Sequence, residues 1–377
     1  MFPTVSATRT RQLAVLAAVQ VCAMSVWFSA SAVVPALRAD WGFSREHAIL
    51  LTVVVQIGFA TGAVASAALN LADRFPPHAL IAGSALLAAG FTVALPWSPH
   101  WLAVPLRFGA GSALAGVYPV GMKVVVSWFP RRRGIALGVL LGALTVGSAL
   151  PTLLRPLPWR AVLLCAALLA TLGAGIAAAY VRPGPDHAPS PPWQPRYLLR
   201  MAADPRQRQV CLGYFGHMWE LYALWAWLPA YLAANRVPGG PTAFIVIGVC
   251  GATGCLLGGV LSDRCGRRVV ARAAMLVSGG CAVLSYPAAG TVLLLPVLLV
   301  WGVAVIADSG QFSAALAETA DPRYVGTALT AMTAFGFLLS AGTIQLLPPV
   351  ADAVGWRAAM PLLAAGPLLG ALAMRRR

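Results

Sequence analysis

Runs of about twenty apolar residues recur along the whole chain, interrupted only by short turns rich in arginine, proline and glycine. A bilayer's hydrocarbon core is about 30 Å thick, so a helix rising about 1.5 Å per residue needs about 20 residues to cross it. Counting such runs predicts twelve spans, at roughly 13–37, 48–72, 78–97, 101–129, 134–154, 159–181, 210–234, 242–262, 269–289, 291–317, 325–347 and 356–374. The composition, 59% hydrophobic and 10% charged, is far from that of soluble domains. The expected fold class is an all-α polytopic membrane protein. Arg9, Arg11 and the stretch Ser29-Ala30-Ser31-Ala32 would also suit a cleaved signal peptide. The apolar character continues through Val33, Val34 and Leu37, which favours a retained span.

The arginines set the orientation. With the N-terminus inside, nineteen basic residues fall on cytoplasmic segments and only six, Arg38, Arg45, Arg155, Arg160, Arg236 and Arg357, fall opposite. The positive-inside rule then puts both termini in the cytoplasm of an inner membrane. A proline- and arginine-rich stretch at 182–209 reads as a cytoplasmic linker between halves at 1–181 and 210–377. The net charge of +16 is distributed between apolar runs, which argues against nucleic-acid binding. The seven cysteines show no metal-ligand spacing and read as packing residues, and no cofactor or metal is expected.

One charged turn occurs twice. Leu257-Gly258-Gly259-Val260-Leu261-Ser262-Asp263-Arg264-Cys265-Gly266-Arg267-Arg268 ends one apolar run, and Asn70-Leu71-Ala72-Asp73-Arg74-Phe75 ends another, with the two acids 190 residues apart. Trp159-Arg160-Ala161 and Trp356-Arg357-Ala358 form a second matched pair, Arg133-Gly134-Ile135-Ala136-Leu137 and Val325-Gly326-Thr327-Ala328-Leu329 a third. Three landmarks in the same order at nearly constant offset indicate two six-helix halves of parallel topology.

Six plus six helices, a basic central linker and an acid-arginine turn after spans two and eight resemble the major facilitator superfamily over essentially the whole chain. Gly259, Leu261, Asp263, Arg264, Gly266, Arg267 and Arg268 carry its turn motif. The first copy keeps Leu71, Asp73 and Arg74 but has Pro76 and Pro77 where glycine and a basic residue are usual. Arg107 and Gly111 match a span-four motif. Gly138 and Gly142 give half of the span-five motif of drug antiporters, with Ala143 in place of its proline. The stretch Arg107 to Pro151 looks like the nitrate/nitrite and cyanate porter branch, whose span-two arginine is missing here. The resemblance implies a pseudo-two-fold fold in which spans one, four, seven and ten line a central cavity. A carboxylate at a cytoplasmic helix end can pair with arginines and cap a neighbouring helix. Asp73, Arg74, Asp263, Arg264, Gly266, Arg267 and Arg268 are therefore read as a conformational latch, the alternative, favoured for Arg267 and Arg268, being a plain topology signal.

Ionisable groups deep in a bilayer cost several kcal/mol unless they face a partner or a cavity. Arg107, His217, Glu220 and Asp308 all lie on those four spans. Helical spacing adds Tyr118 to Arg107, Tyr214 and Trp227 to His217 and Glu220, and Trp301, Gln311 and Phe312 to Asp308; span one offers Gln20, Met24, Trp27 and Ser31. We expect Arg107, Tyr118, Trp27, His217, Glu220, Asp308 and Gln311 to bind substrate, and Glu220 and Asp308 to couple protons. The plainer alternative is interhelical glue, with Glu220 or Asp308 paired to Arg107. Small-residue repeats on spans two, five, eight and eleven, the spans where the halves must rock, fit both sliding contact and static packing, with packing favoured at any single glycine. Asp308-Ser309-Gly310 has the look of an aspartic-protease triplet, but it stands alone, and the metalloprotease and phosphate-loop motifs are missing. The reading is therefore not an enzyme. It is a monomeric, proton-coupled secondary transporter of a small polar solute, an organic or inorganic anion by preference, with symport favoured. A multidrug or lipophilic-cation antiporter is the alternative, and a non-transporting receptor of the same fold a third reading.

Overall fold

A computed structural model describes residues 5–130, 133–187, 193–321 and 323–375. Arg131, Arg132, Arg376 and Arg377 of the basic count, and 188–192 of the linker, lie outside the described residues. The expected membrane helices are present. We label them α1 (Val5–Met24, continued by Ser29–Ala32 and Val34–Trp41), α2 (Arg45–Ala68), α3 (Pro77–Ala94) and α4 (Ala103–Leu114 and Tyr118–Trp128). Next are α5 (Arg133–Leu153), α6 (Trp159–Tyr180), α7 (Pro205–Ala234) and α8 (Gly239–Phe244, Ile245–Cys250 and Gly251–Cys265). The last are α9 (Arg267–Ala288), α10 (Leu294–Ala307 and Ser309–Thr319), α11 (325–354) and α12 (356–373).

Among the described residues nine helices are long and apolar enough to cross a membrane, and one of them, Val325–Ala373, holds two spans. Gly355 divides it: at φ 82 it occupies a region that L side chains rarely adopt, and the chain reverses there. Gly266, at φ 88, makes the equivalent reversal between α8 and α9. α1 and α7 complete the twelve. Neither is a long, uniformly apolar helix: α1 is broken, and α7 carries His217, Glu220 and several tyrosines.

The packing is the same in both halves. α1 packs on α5 and α6 as α7 packs on α11 and α12; α2 packs on α4 as α8 packs on α10; α3 touches α4 and α6 as α9 touches α10 and α12. Between the halves, α2 meets α11 and α5 meets α8. The repeat reaches single residues. Gly58 and Gly62 of α2 lie against the Phe108 and Ser112 carbonyls of α4, and Gly254 and Gly258 of α8 lie against the Val303 and Ala307 carbonyls of α10. These glycines therefore close each half internally, as in the packing reading of the small-residue repeats. The α5 repeat lies where sliding contact is the other reading: Gly134, Gly138 and Gly142 pack on Gly259, Cys255 and Ala252 of α8, across the two halves. Small residues permit close approach, but the sequence does not say which neighbour approaches.

Candidate functional site

α1 loses helical geometry from Ser25 to Phe28, which frees backbone carbonyls in the middle of the protein. Arg107 of α4 reaches them, donating from Nη1 to the Val26 carbonyl at 3.2 Å and from Nη2 to the Trp27 carbonyl at 2.7 Å. The guanidinium also sits at the C-terminal end of the Val5–Met24 segment, where the helix dipole favours a cation. A buried arginine, 1% exposed, is thus held by neutral carbonyl groups.

The break turns aromatic rings toward the other half. Trp27 lies 4.9 Å from Phe59 of α2, 5.6 Å from Tyr222 of α7 and 5.5 Å from Phe337 of α11, measured between ring centres. Phe28 adds contacts to Tyr222 and Trp225. These rings form a packed aromatic layer that joins α1 and α2 to α7 and α11, across the two halves.

A cavity of about 30 Å³, room for about two water molecules, lies on the linker side of that layer. Its walls include Tyr118, Tyr214, His217, Tyr222, Ser309 and Phe337. His217 Nδ1 lies 2.8 Å from Asp308 Oδ1 in a bent contact, and His217 Nε2 has no hydrogen-bond partner. Asp308 occupies the junction between the two segments of α10, matching the break in α4 between Leu114 and Tyr118. Gln311 borders a separate space of about 10 Å³ beside Cys255 and Gly138, and its Oε1 is unpartnered.

Glu220, one helical turn from His217, faces away from the cavity into the C-terminal bundle. Its Oε1 accepts from Trp301 Nε1 and its Oε2 from Ser278 Oγ, both at 2.7 Å. The pairings of Arg107 with Glu220 or Asp308, considered as interhelical glue, are not those seen: each of the three has other partners. Trp227, on the same helical stripe as His217, donates to the Ile344 carbonyl and packs on Trp356, away from the cavity. Ser278, Phe28, Phe59, Trp225 and Phe337 were not among the expected site residues. Only the clustering of aromatics at mid-helix hinted at the last four, and nothing in the sequence marked Ser278.

The two charged turns differ. Asp263 lies over the first turn of α5, where a Cβ added at Gly134 would stand 2.7 Å from Asp263 Oδ1. A carboxylate there complements the positive end of a helix from the other half. Arg267 donates to Glu318 at 2.7 Å, joining α9 to α10, while Arg74 and Arg264 are exposed. Asp73 instead pairs with Lys123 of α4 inside its own half. Next to that pair, burial and the Lys123 ammonium pull the His187 imidazole below its ordinary pKa, partly offset by Asp73.

Twelve helices in two matched bundles, with ionisable side chains buried within them, define a multi-pass membrane architecture. Residues 16–344 match the Major Facilitator Superfamily, and the chain belongs to that family. Among solved structures, a bacterial homologue of the human lysosomal transporter Spinster, inward-facing and unoccupied, superposes with a TM-score of 0.73 at 15% identity, covering 97% of this chain and 96% of the other. The human organic anion transporter MFSD10 (TETRAN) gives a TM-score of 0.71 at 16% identity over 99% of this chain and 100% of the other. At such identities the likeness is one of fold. Comparison with curated proteins finds no match.

Proposed function

We propose that the chain is a proton-coupled secondary transporter that moves a small solute across the inner membrane by alternating access, with both termini cytoplasmic. The observation that carries this is the His217–Asp308 pair: a buried acid and imidazole 2.8 Å apart, at a helix break, with the His217 side chain lining the cavity. Such a pair can hold or release one proton according to what occupies the cavity, which is the linkage a coupled carrier needs. The halves are assigned to 1–181 and 210–377, joined by 182–209, and the working unit is a monomer in the bilayer.

Within this reading Tyr118, His217 and Asp308 serve the cavity. Arg107 and Trp27 serve the level of the α1 break, and Gln311 the neighbouring space. Glu220 is a coupling acid held in the C-terminal bundle. Symport is the preferred mode, because the Arg107 level favours an anion that would enter with a proton. Asp263, Arg264, Gly266, Arg267 and Arg268 act as a latch on α5, and Asp73 with Arg74 as a turn that braces the first half. Asp308→Asn and Glu220→Gln proteins in liposomes are expected to lose uptake driven by a pH gradient. Full gradient-driven uptake by both would sink the coupling assignment.

A further inference from the structure

Three side chains from α1, α2 and α4 share one level of the N-terminal half. Arg107 is fixed at the break of α1 by its two carbonyl contacts. Gly58 of α2 lies against Phe108 of α4, which puts Gln56 within a turn of the Arg107 level. Along α1 and α2, the Ser31–Thr52 contact at 2.8 Å and the Trp27–Phe59 contact at 4.9 Å bracket Gln56 from either side. Arg107, Trp27 and Gln56 are 1%, 3% and 0% exposed. Four of their polar atoms have no hydrogen-bond partner: Arg107 Nε, Trp27 Nε1 and both amide atoms of Gln56. Folded proteins leave few buried polar atoms unmet, so four at one level ask for a ligand.

We propose that this level is a cargo subsite for the carboxylate of an organic monocarboxylate with an apolar, preferably aromatic, body. This rests on the transporter reading and names its cargo. Three of the unmet atoms belong to N–H donors, one of them a guanidinium, against a single amide acceptor. A carboxylate has about four acceptor positions and no donor, so it answers all three. A cation meets a guanidinium there, and a neutral amide brings donors of its own. The rings of Phe59, Tyr222 and Phe337 packed around Trp27 make the surroundings of the subsite aromatic and apolar, so a bound solute would lie among rings. A small, strongly hydrated inorganic anion would lose its water among those rings without any apolar contact in return. The subsite and the His217–Asp308 pair lie on opposite halves, so a carboxylate bound to the first half and a proton held on the second would travel together.

The test uses the full chain in nanodiscs with benzoate, benzamide and benzylammonium, three probes of similar shape and different charge. Benzoate is expected to bind at least about ten-fold tighter than the other two, and Gln56→Glu, which sets a carboxylate against it, to weaken benzoate by about ten-fold or more. Gln56→Met, which packs without charge, should weaken benzoate less than Gln56→Glu does, and melting curves check that both variants fold. Equal or tighter binding of benzamide or benzylammonium, absent benzoate binding, or a folded Gln56→Glu protein that still binds benzoate overturns the proposal. Proton flux in liposomes separates the two levels of the argument. Flux driven by a cation or a neutral solute but not by benzoate removes the carboxylate subsite and leaves coupled transport standing. No flux with a broad panel of anions, cations and neutral solutes removes both.

Discussion

Glu220 offers a quantitative test of how the C-terminal bundle holds its acid. Both carboxyl oxygens accept hydrogen bonds at 2.7 Å, from Ser278 on α9 and Trp301 on α10. A hydrogen bond to a charged group contributes about 1.5–3 kcal/mol, and removing the donor leaves a buried oxygen unmet. Ser278→Ala should therefore destabilise the native protein by about 1.5–3 kcal/mol. In a Glu220→Leu background the same change should cost near zero, because the serine hydroxyl can turn to a carbonyl of its own helix. The double-mutant cycle then gives a coupling of about 1.5–3 kcal/mol, and Trp301→Phe should couple to Glu220 by a similar amount. Glu220→Gln should be milder than Glu220→Leu, since the amide oxygen still accepts from Trp301 and the amide N–H₂ can donate to Ser278. Equilibrium unfolding in mixed micelles measures each corner. An equal cost of Ser278→Ala in both backgrounds would refute the assignment of these bonds.

Two further outcomes follow from the packing. Gly258→Ala places a methyl on the Ala307 carbonyl and should destabilise by about 1–3 kcal/mol, whereas Gly280→Ala on α9 meets open space and should stabilise by up to about 1 kcal/mol; unfolding curves with the same sign for both would contradict the α8–α10 seam. Arg107→Met leaves the Val26 and Trp27 carbonyls unmet, about 1–3 kcal/mol each before the gain from removing a buried charge, while Arg107→Lys can still reach one of them. The lysine variant should melt between the wild type and the methionine variant, and a reversed order would show that the cation is not what holds the break in α1.

The spans were legible because a bilayer admits few alternatives: about twenty apolar residues in a row, bounded by charge, can only be a helix that crosses it. The repeat was legible because its landmarks sit at turns, where side-chain identity is dictated by geometry, as at Gly266. What the sequence could not supply was azimuth. His217 and Glu220 are three residues apart and read as one stripe, yet at about 100° per residue they diverge by about 60°. That difference puts one on the cavity wall and the other against Ser278 and Trp301. The break in α1 was equally hidden. Ser25 to Phe28 contain neither proline nor glycine, and the arginine that satisfies the freed carbonyls lies about 80 residues further along the chain. Lys123 lies within the second segment of α4, and only the fold reveals Asp73 beside it. Depth in the membrane is thus a property of sequence position, while the partner of a deep polar group is a property of two helices at once. The unmet atoms of Gln56 illustrate the limit: a glutamine among valines looks like a packing lapse in one helix, and becomes a candidate ligand contact only when the fold sets it buried at the level of Trp27 and Arg107.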